Sequence, residues 1–268
     1  MEKLAVFVNT SDGFDDCWAP FLQLFARYGG DLNTSTVYLN TERKDYAFES
    51  VALVPTRVWF DGEPRPTWSE CLSRGLNQIA EKYVLYLQED YFLSQEVKTE
   101  WLERAIQVLE AEPDVGVVYL NRYGPQFRNE IPRADGFVEI QQPASYLLST
   151  QAAIWRKDVL ASLVCDWENG WMFEKFGSLR ARKLPCRFVS VNRDVMQSSP
   201  VFEYIYTGVI KGQWKTDCVG LFAREGIEVD FAKRGFYQER GRLKSRIEVL
   251  KKLFGNPGNA WRSIKTLV

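Results

Sequence analysis

The sequence has no histidine among its 268 residues. This absence excludes the Ser-His-Asp and Cys-His nucleophilic systems, the HExxH zinc sites and imidazole as a general base. Any acid–base chemistry of this chain must therefore be carried out by aspartate or glutamate side chains.

Cysteine is also scarce. The five cysteines are odd in number, scattered and never spaced as CxxC, which argues against a disulfide framework and against a thiolate zinc site. A reducing cytoplasm fits this usage best. The N-terminal segment MEKLAVFVNT lacks a basic region followed by a long apolar stretch, and no run of about eighteen apolar residues occurs. We therefore expect neither a signal peptide nor a membrane span.

A strong excess of charge is missing as well. The formal net charge is −1, so the chain as a whole does not attract nucleic acid or anionic lipid, and any phosphate binding must be local. Basic residues cluster only near the C-terminus and no aromatic-rich RNA motif is present, so we expect no nucleic-acid partner. With 46% hydrophobic residues, the chain can bury a full core.

Strand-like and helix-like segments alternate along the first half of the chain. Short apolar runs at 4–10, 35–40, 83–88 and 115–121 are typical of buried strands. Helical stripes lie between them, and Thr67 to Glu70 form a capping-box pattern, while Ser94 is placed to cap a later helix. This alternation predicts an α/β fold with a mostly parallel sheet covered on both faces.

Polar residues gather where the predicted strands end. They are Thr10, Ser11 and Asp12; Asn40, Thr41 and Glu42; Gln88, Glu89 and Asp90; and Asn121 with Arg122. Ligands of such sheets bind beyond the carboxyl ends of the strands, so these side chains could hold a nucleotide and a divalent cation. Alternatively, the strands end in polar residues because the following loops are solvated.

The stretch SECLSRGLNQIAEKYVLYLQEDY, residues 69–91, resembles a segment of family-2-like glycosyltransferases of the GT-A fold. The later stretch WLERAIQVLEAEPDVGVVYLN is similar to the helix and strand that follow in that family. The resemblance covers about the first 120 residues and implies a GT-A type, Rossmann-like sheet flanked by helices. It also implies a nucleoside diphosphate sugar as donor, with UDP the first choice.

The resemblance assigns roles at the donor side. Arg74 and Asn77 match the Arg and Asn of the family pattern, and Gln88-Glu89-Asp90 lies where the family's DxD metal motif would be. It thus implies a divalent cation, manganese or magnesium, with Asp90 as first ligand and Glu89 as second. Gln88 replaces the first Asp of that motif, and the His that often completes the metal site is missing.

The same resemblance places the nucleotide sugar against several strand-end residues. Thr10 and Asp12 look like the family's base- and ribose-binding corner, although Asp12 could equally be a turn residue. Asn40, Glu42 and Glu89 complete the set of expected donor contacts from the strand ends.

In the second half, WMFEKFGSLRAR at 171–182 resembles the family's acceptor-site segment, with Glu174 in the position of the catalytic base. Aromatic neighbours would partly desolvate this carboxylate and raise its pKa, which favours a general base. Glu168 is the alternative. Arg180 could contact the diphosphate or an acidic acceptor, or it could lie at an exposed helix end.

We expect a GT-A-like domain over 1–232, with a nucleotide-sugar half at 1–122 and an acceptor half at 123–232. Residues 233–268 form a basic tail, in which Leu243, Ile247, Leu250 and Phe254 align on one helix face. Such a helix could lie on an anionic membrane, at the inner face for a cytoplasmic enzyme, or it could pack on the core.

The sequence therefore predicts an inverting glycosyltransferase that moves a sugar from a nucleotide sugar to a hydroxyl of a glycan or lipid-linked glycan. The main alternative is a non-catalytic nucleotide-sugar-binding protein derived from a transferase. A nucleotidylyltransferase is a weaker alternative, because the loop NTSDGFDD has one glycine rather than a glycine-rich phosphate loop.

Overall fold

The computed structural model describes residues 3–121, 124–125, 130–239 and 250–267. Within these residues, a nine-stranded central sheet has the strand order β3-β2-β1-β4-β8-β5-β9-β7-β6. Its strands are β1 (Leu4–Asn9), β2 (Val37–Asn40), β3 (Leu53–Pro55), β4 (Tyr83–Gln88), β5 (Val115–Tyr119), β6 (Glu130–Pro132), β7 (Phe137–Ile140), β8 (Ala153–Arg156) and β9 (Arg187–Val191). A separate hairpin pairs β10 (Val209–Ile210) with β11 (Gln213–Trp214).

The direction of the strands confirms the predicted sheet type. Within the central sheet β7 and β8 run against the other strands, which all share one direction. The sheet is therefore mixed and mostly parallel. Strand β4 is buried along YVLYL, as expected for a central strand covered on both faces.

Helices cover both faces of the sheet. They are α1 (Asp15–Tyr28), α2 (Trp68–Leu76), α3 (Thr99–Ala111), α4 (Lys157–Ser162), α5 (Gly170–Ala181), α6 (Arg193–Ser198), α7 (Asp217–Glu225) and α8 (Pro257–Lys265). One apolar core lies between the sheet and α1 with α3, and a second lies between the sheet and α2, α4 and α5. None of the helices in the described part of the chain is both long and apolar enough to cross a membrane.

Local sequence signals set several helix ends. The capping box of α2 is confirmed, since the Thr67 side chain accepts from the Glu70 N–H and the Glu70 carboxylate accepts from the Thr67 N–H. Gly226 ends α7 in the left-handed conformation, with φ 67°. The prediction for Ser94 is wrong: Lys98 is the N-cap of α3, and the Ser94 hydroxyl donates instead to the carbonyl of Glu203.

The two predicted halves share one sheet, because β8 lies between β4 and β5. The predicted division at residue 122 thus does not separate two sheets, and its functional meaning stays a prediction. At the start of the expected tail, Arg234 forms an ion pair with Asp16 of α1. Leu243 and Ile247 lie outside the described residues.

Candidate functional site

Three parallel strands bring their carboxyl ends to one edge of the sheet, and an antiparallel strand begins there. In the register, Asn9 at the end of β1 is opposite both Asn40 and Gln88. Tyr86 is opposite Ala153, the first residue of β8. The strand-end residues predicted from the sequence are thus brought together, and the segment before β8 joins them.

A chain of buried hydrogen bonds forms the floor of this edge. The Asn9 amide donates to the Tyr86 hydroxyl at 3.0 Å, and the Asn40 amide donates to Asn9 Oδ1 at 2.8 Å. Thr56 in turn donates to Asn40 Oδ1 at 2.9 Å. Asn40 is fully buried, so it supports the site from beneath. Its predicted contact with a donor is not tested by these bonds and stays a prediction.

The two carboxylates that follow β4 are both buried. Burial, and then the neighbouring charge of Asp90, raises the pKa of the Glu89 carboxyl. Burial also raises the pKa of Asp90, although its hydrogen bonds act in the opposite direction. Asp90 Oδ2 accepts from the Thr207 hydroxyl at 2.5 Å and from the Val209 N–H at 3.1 Å. Two adjacent carboxylates are therefore buried at the end of the central strand, and within the described residues no ion pair holds either of them.

A preformed metal site is absent from the part of the chain that the structure describes. No group of three or more His, Cys, Asp or Glu side chains is arranged there to hold a metal ion. Hard divalent cations, however, accept substrate phosphates as ligands beside one or two carboxylates. Glu89 and Asp90 alone thus do not make a fully protein-ligated site, and a cation at this position would need further oxygen ligands, such as phosphates of a substrate.

Glu174 lies in α5 and points to the segment before β8. Its Oε1 accepts from both the N–H and the hydroxyl of Thr150, each at 2.8 Å. Burial raises the pKa of the Glu174 carboxyl, and the Thr150 hydrogen bonds partly offset this. The charges of Glu174 and Glu89 both add to the effect of burial in raising the pKa of Tyr86. Tyr86 therefore lies within electrostatic reach of the predicted base and of the strand-end carboxylates.

The aromatic residues expected around Glu174 pack on other partners. Phe173 contacts Trp68, with ring centroids 5.3 Å apart, and Phe176 contacts Phe254 at 6.4 Å. Trp171 is exposed. The pKa of Glu174 is raised, as the sequence predicts. The hydrogen bonds to its carboxylate come from Thr150.

Asp12 and Glu42 tie the loop after β1 to the loop after β2. The Asp12 carboxylate accepts from the backbone N–H groups of Glu42, Arg43 and Lys44 at 2.8 to 3.0 Å. Glu42 accepts the Asp12 N–H at 3.3 Å and forms an ion pair with Arg65. Asp12 therefore has the loop-closing role that the sequence left open as an alternative, and both carboxylates shape this corner of the edge.

Thr10 lies next to this corner and faces the strand-end carboxylates. Its hydroxyl accepts from the Trp18 indole N–H at 2.9 Å and hydrogen-bonds Glu89, which lowers the pKa of that carboxyl against the effect of burial. The structure thus brings Thr10 and Glu89 together, as the predicted donor site requires.

Arg74 and Asn77 lie at the C-terminal end of α2. Arg74 in the last turn donates to Glu63 at 2.7 Å and to the carbonyl of Val58 at 2.9 Å, which attaches it to the loop after β3. Asn77 is the exposed C-cap of α2. The end of α2 lies against the strand ends, since Gly75 is next to Asn40 and the Gln78 amide donates to the carbonyl of Thr56 at 2.8 Å. The nucleotide contacts expected for Arg74 and Asn77 stay a prediction.

Arg180 is engaged away from the strand ends. Its guanidinium makes a two-bond contact with the fully buried Glu168, at 2.8 and 2.6 Å, and also donates to the carbonyl of Leu163. It lies six residues after Glu174, about 9 Å along the helix axis. These bonds give Arg180 and Glu168 a structural role. The choice of Glu174 over Glu168 as the base stays a prediction. The donor contact predicted for Arg180 stays a prediction.

Thr150, Thr207 and Tyr86 were missed from the sequence. Thr207 is 117 residues from Asp90 along the chain, and Thr150 is 24 residues from Glu174. A lone threonine in a polar segment carries no signal of such a contact. Tyr86 lay within a recognised strand, but its hydroxyl contact with Asn9 depends on the pairing of β1 with β4.

Comparison with known proteins shows which solved structures have a similar fold. No family model matches the sequence, and no curated protein matches it. Among solved structures, the chain is similar to S. aureus TarS 1–349, with 12% identity and a TM-score of 0.50 over 100% of this chain and 83% of that chain. TarS 1–349 in complex with UDP gives 13% identity and a TM-score of 0.49 over 87% and 68% of the two chains.

A second similar protein is glucosyl-3-phosphoglycerate synthase from Mycobacterium tuberculosis in complex with phosphoglyceric acid. It shows 14% identity and a TM-score of 0.47 over 85% of this chain and 81% of that chain. The chain spans 44% of a longer TarS structure, with 13% identity, a TM-score of 0.47 and 96% of this chain covered. At these identities the likeness concerns the fold alone, and that fold is the GT-A type predicted from the sequence.

Proposed function

We propose that this protein is a glycosyltransferase that moves a sugar from a nucleoside diphosphate sugar to a hydroxyl group. A UDP-sugar is the proposed donor, and a glycan or lipid-linked glycan is the proposed acceptor. The reaction is a direct displacement with inversion. The five cysteines are all free thiols, which suits the reducing cytoplasm proposed as its compartment.

One observation carries this proposal. Nine carboxyl groups of the described residues have a clearly shifted pKa, and it is raised at three of them: Glu89, Asp90 and Glu174. All three belong to the same edge of the sheet. Carboxylates desolvated together in this way are typical of sites that handle protons or cations.

Glu174 is the proposed base. Its carboxylate takes the proton of the acceptor hydroxyl as the acceptor oxygen bonds to the anomeric carbon of the donor sugar. The bond from that carbon to the diphosphate oxygen breaks, and the nucleoside diphosphate leaves with the electron pair. Thr150 holds the carboxylate through Oε1, which leaves Oε2 for the proton.

Glu89 and Asp90 are the residues that would hold a divalent cation together with the donor phosphates. When bound, manganese or magnesium supplies charge neutralisation for the leaving diphosphate. Thr207, which donates to Asp90 Oδ2, orients that carboxylate. The raised pKa values also suit this assignment, because an added positive charge would favour the ionised forms of both carboxyls.

The nucleotide is proposed to bind at the corner formed by the loops after β1 and β2. Thr10 lies there beside Glu89, while Asp12 and Glu42 fix the two loops to each other. The bonds that Asp12 makes to three successive N–H groups pre-organise this corner, so that binding the donor costs little loop ordering.

The test is release of nucleotide from UDP-, GDP-, dTDP- and CMP-sugars, measured with manganese, with magnesium and with chelator. We expect slow hydrolysis of one donor, with UDP-sugars first, that is stimulated by the cation and abolished by chelator. A chain that neither binds nor cleaves any of these donors would overturn the proposal.

A second candidate function is binding of a nucleotide sugar without transfer. It is favoured by Gln88, which replaces an acidic residue of the metal motif, and by the lack of a three-ligand metal cluster in the described residues. Calorimetric binding of a donor that is never hydrolysed or transferred would identify this case.

A further inference from the structure

Large apolar side chains are exposed on one part of the molecule, which we call the C-terminal apolar surface. Exposure reaches 60% for Trp261, 56% for Leu250 and 47% for Phe254, and Trp171 and Ile264 are also exposed. Single exposed apolar residues are ordinary, but a group of them on neighbouring elements marks an interaction site.

These side chains are carried by elements that pack on one another. Residues 250–254 are helical, and Phe254 contacts Phe176 of α5. The Asn169 amide donates to the carbonyl of Lys252 at 2.9 Å. The Trp167 indole donates to Ser263 of α8 at 3.0 Å. The surface is therefore anchored to α5 and to the segment before it.

The inner faces of these helices are used for that packing, while the outer faces are apolar. Leu253 packs with Met172 and Phe176, and Ala260 and Ser263 of α8 are buried. Trp261 and Ile264 are three residues apart, so they project from the same side of α8. In its described part, the tail therefore packs one face on α5 and leaves another face exposed.

The charged residues of the segment 250–267 have one sign. Between residues 250 and 267 the sequence has four basic residues, Lys251, Lys252, Arg262 and Lys265, and no acidic residue. Lys252 lies 4.4 Å from the centroid of the Trp171 ring, and Lys265 lies 5.6 Å from that of Trp261. Indole rings beside flexible cations suit the boundary between lipid headgroups and acyl chains.

From this combination we infer that the C-terminal apolar surface binds the surface of an anionic lipid membrane. The aromatic and aliphatic side chains enter the headgroup region, and the lysines contact lipid phosphates. An anionic bilayer is favoured over a protein partner because the segment 250–267, which carries most of the exposed apolar side chains, has basic residues and no acidic one.

This surface adjoins the candidate site. Trp171 precedes Glu174 by three residues on α5, a spacing that places their Cβ atoms about 5 to 6 Å apart. Membrane contact at Trp171 would bring the base close to the headgroup layer. This consequence rests on the proposed function and selects a lipid-linked acceptor over a free glycan.

The experiment is co-sedimentation of the full chain with vesicles of phosphatidylcholine alone and of phosphatidylcholine mixed with phosphatidylglycerol. Binding to the anionic vesicles alone, weakened by salt, is expected. The double variant Trp261→Ala with Ile264→Ala should weaken it by at least about tenfold, because two large side chains lose apolar burial. Lys251→Ala and Lys265→Ala should each weaken it by about fivefold.

Phe60→Ala is the matched control, since Phe60 is similarly exposed, at 53%, but lies on the loop after β3. It should bind vesicles as the parent chain does. No binding to anionic vesicles, or equal loss in the control, would overturn the inference. Self-association that is abolished by the Trp261 and Ile264 changes would instead make this surface an interface between copies. Donor hydrolysis should be unchanged in these variants. A failure of membrane binding can therefore be distinguished from a failure of the proposed transferase function.

Discussion

Replacement of Glu174 by Gln should remove the proton acceptor and keep the shape of the site. The Glu174 carboxylate contacts Thr150 through a single oxygen, which accepts two hydrogen bonds of 2.8 Å. The amide oxygen of Gln can accept the same two bonds, and its NH₂ group then occupies the position from which the proton would be taken. The variant therefore isolates the protonation step.

The expected loss follows from the role of a general base. Such a group contributes about 10²- to 10⁴-fold in rate, which corresponds to about 3 to 5 kcal/mol of activation free energy. Donor binding should remain within about twofold, because the proposed role of Glu174 is to accept the acceptor's proton and not to hold the leaving group. The pH profile should also change: the parent enzyme gains activity as pH rises through the pKa of Glu174, and the variant lacks this rise.

Stability provides an independent check with a defined sign. Burial raises the pKa of Glu174 in the folded chain above its value in the unfolded chain. The protonated carboxyl thus stabilises the fold below the unfolded pKa, and this contribution is lost as pH rises through the folded pKa. The Gln variant, which is always neutral, should unfold at the same or a higher temperature than the parent chain at neutral pH. The difference should vanish at acid pH.

The assay compares initial transfer rates and calorimetric donor binding for Glu174→Gln and for Glu168→Gln. Glu168 is the matched control, because it is a buried carboxylate near α5 that pairs with Arg180. Its replacement leaves the Arg180 charge without its partner, so it should lower the unfolding temperature. Full transfer activity in Glu174→Gln, or loss of donor binding with activity loss, would refute the assignment of the base.

Three further outcomes can be checked by unfolding experiments. Glu89→Gln should raise the unfolding temperature at neutral pH, because it removes a buried carboxyl group whose own pKa is raised by burial and by the charge of Asp90. The same variant should no longer be stimulated by manganese. Glu112→Gln should cost about 1 to 2 kcal/mol in urea unfolding at neutral pH. Its hydrogen bonds and ion pairs with two arginines lower the pKa of Glu112 to about 2, so this stabilisation is present above the unfolded pKa and is lost as pH falls toward about 2. Gly75→Ala should destabilise by about 1 to 3 kcal/mol, because the added Cβ would lie 2.3 Å from a buried amide oxygen, whereas Gly220→Ala on α7 meets nothing within 4 Å and should not destabilise.

The elements that the sequence predicts well are those set by neighbouring residues. The capping box at Thr67 depends on contacts within one helical turn, and it is present. Strand β4 is a continuous apolar run whose burial follows from its composition. Ser94 shows the limit of this reasoning, because a hydroxyl suited to a helix cap found a distant carbonyl at Glu203 instead.

Site residues are harder to predict, since strand ends need polar side chains for two different reasons. Asn40 and Asp12 satisfy buried amides and loop N–H groups, while Glu89 and Glu174 remain as carboxylates without a cationic ion-pair partner among the described contacts. The sequence presents all four as polar residues near predicted strand or helix ends. Which of them close loops and which face a substrate depends on partners that are brought in by the tertiary fold.

The direction of the pKa shift separates these two groups physically. A carboxylate that stabilises the fold is paired, and its pKa is lowered, as for Glu112 and Glu225. A carboxylate that the fold buries without such a partner costs stability, and it is retained where binding or chemistry requires it. The raised values at Glu89, Asp90 and Glu174 identify one edge of the sheet where this cost is concentrated. Binding of a donor with its cation should therefore stabilise the chain more at neutral than at acid pH, because protons compete with the cation for these carboxylates as pH falls.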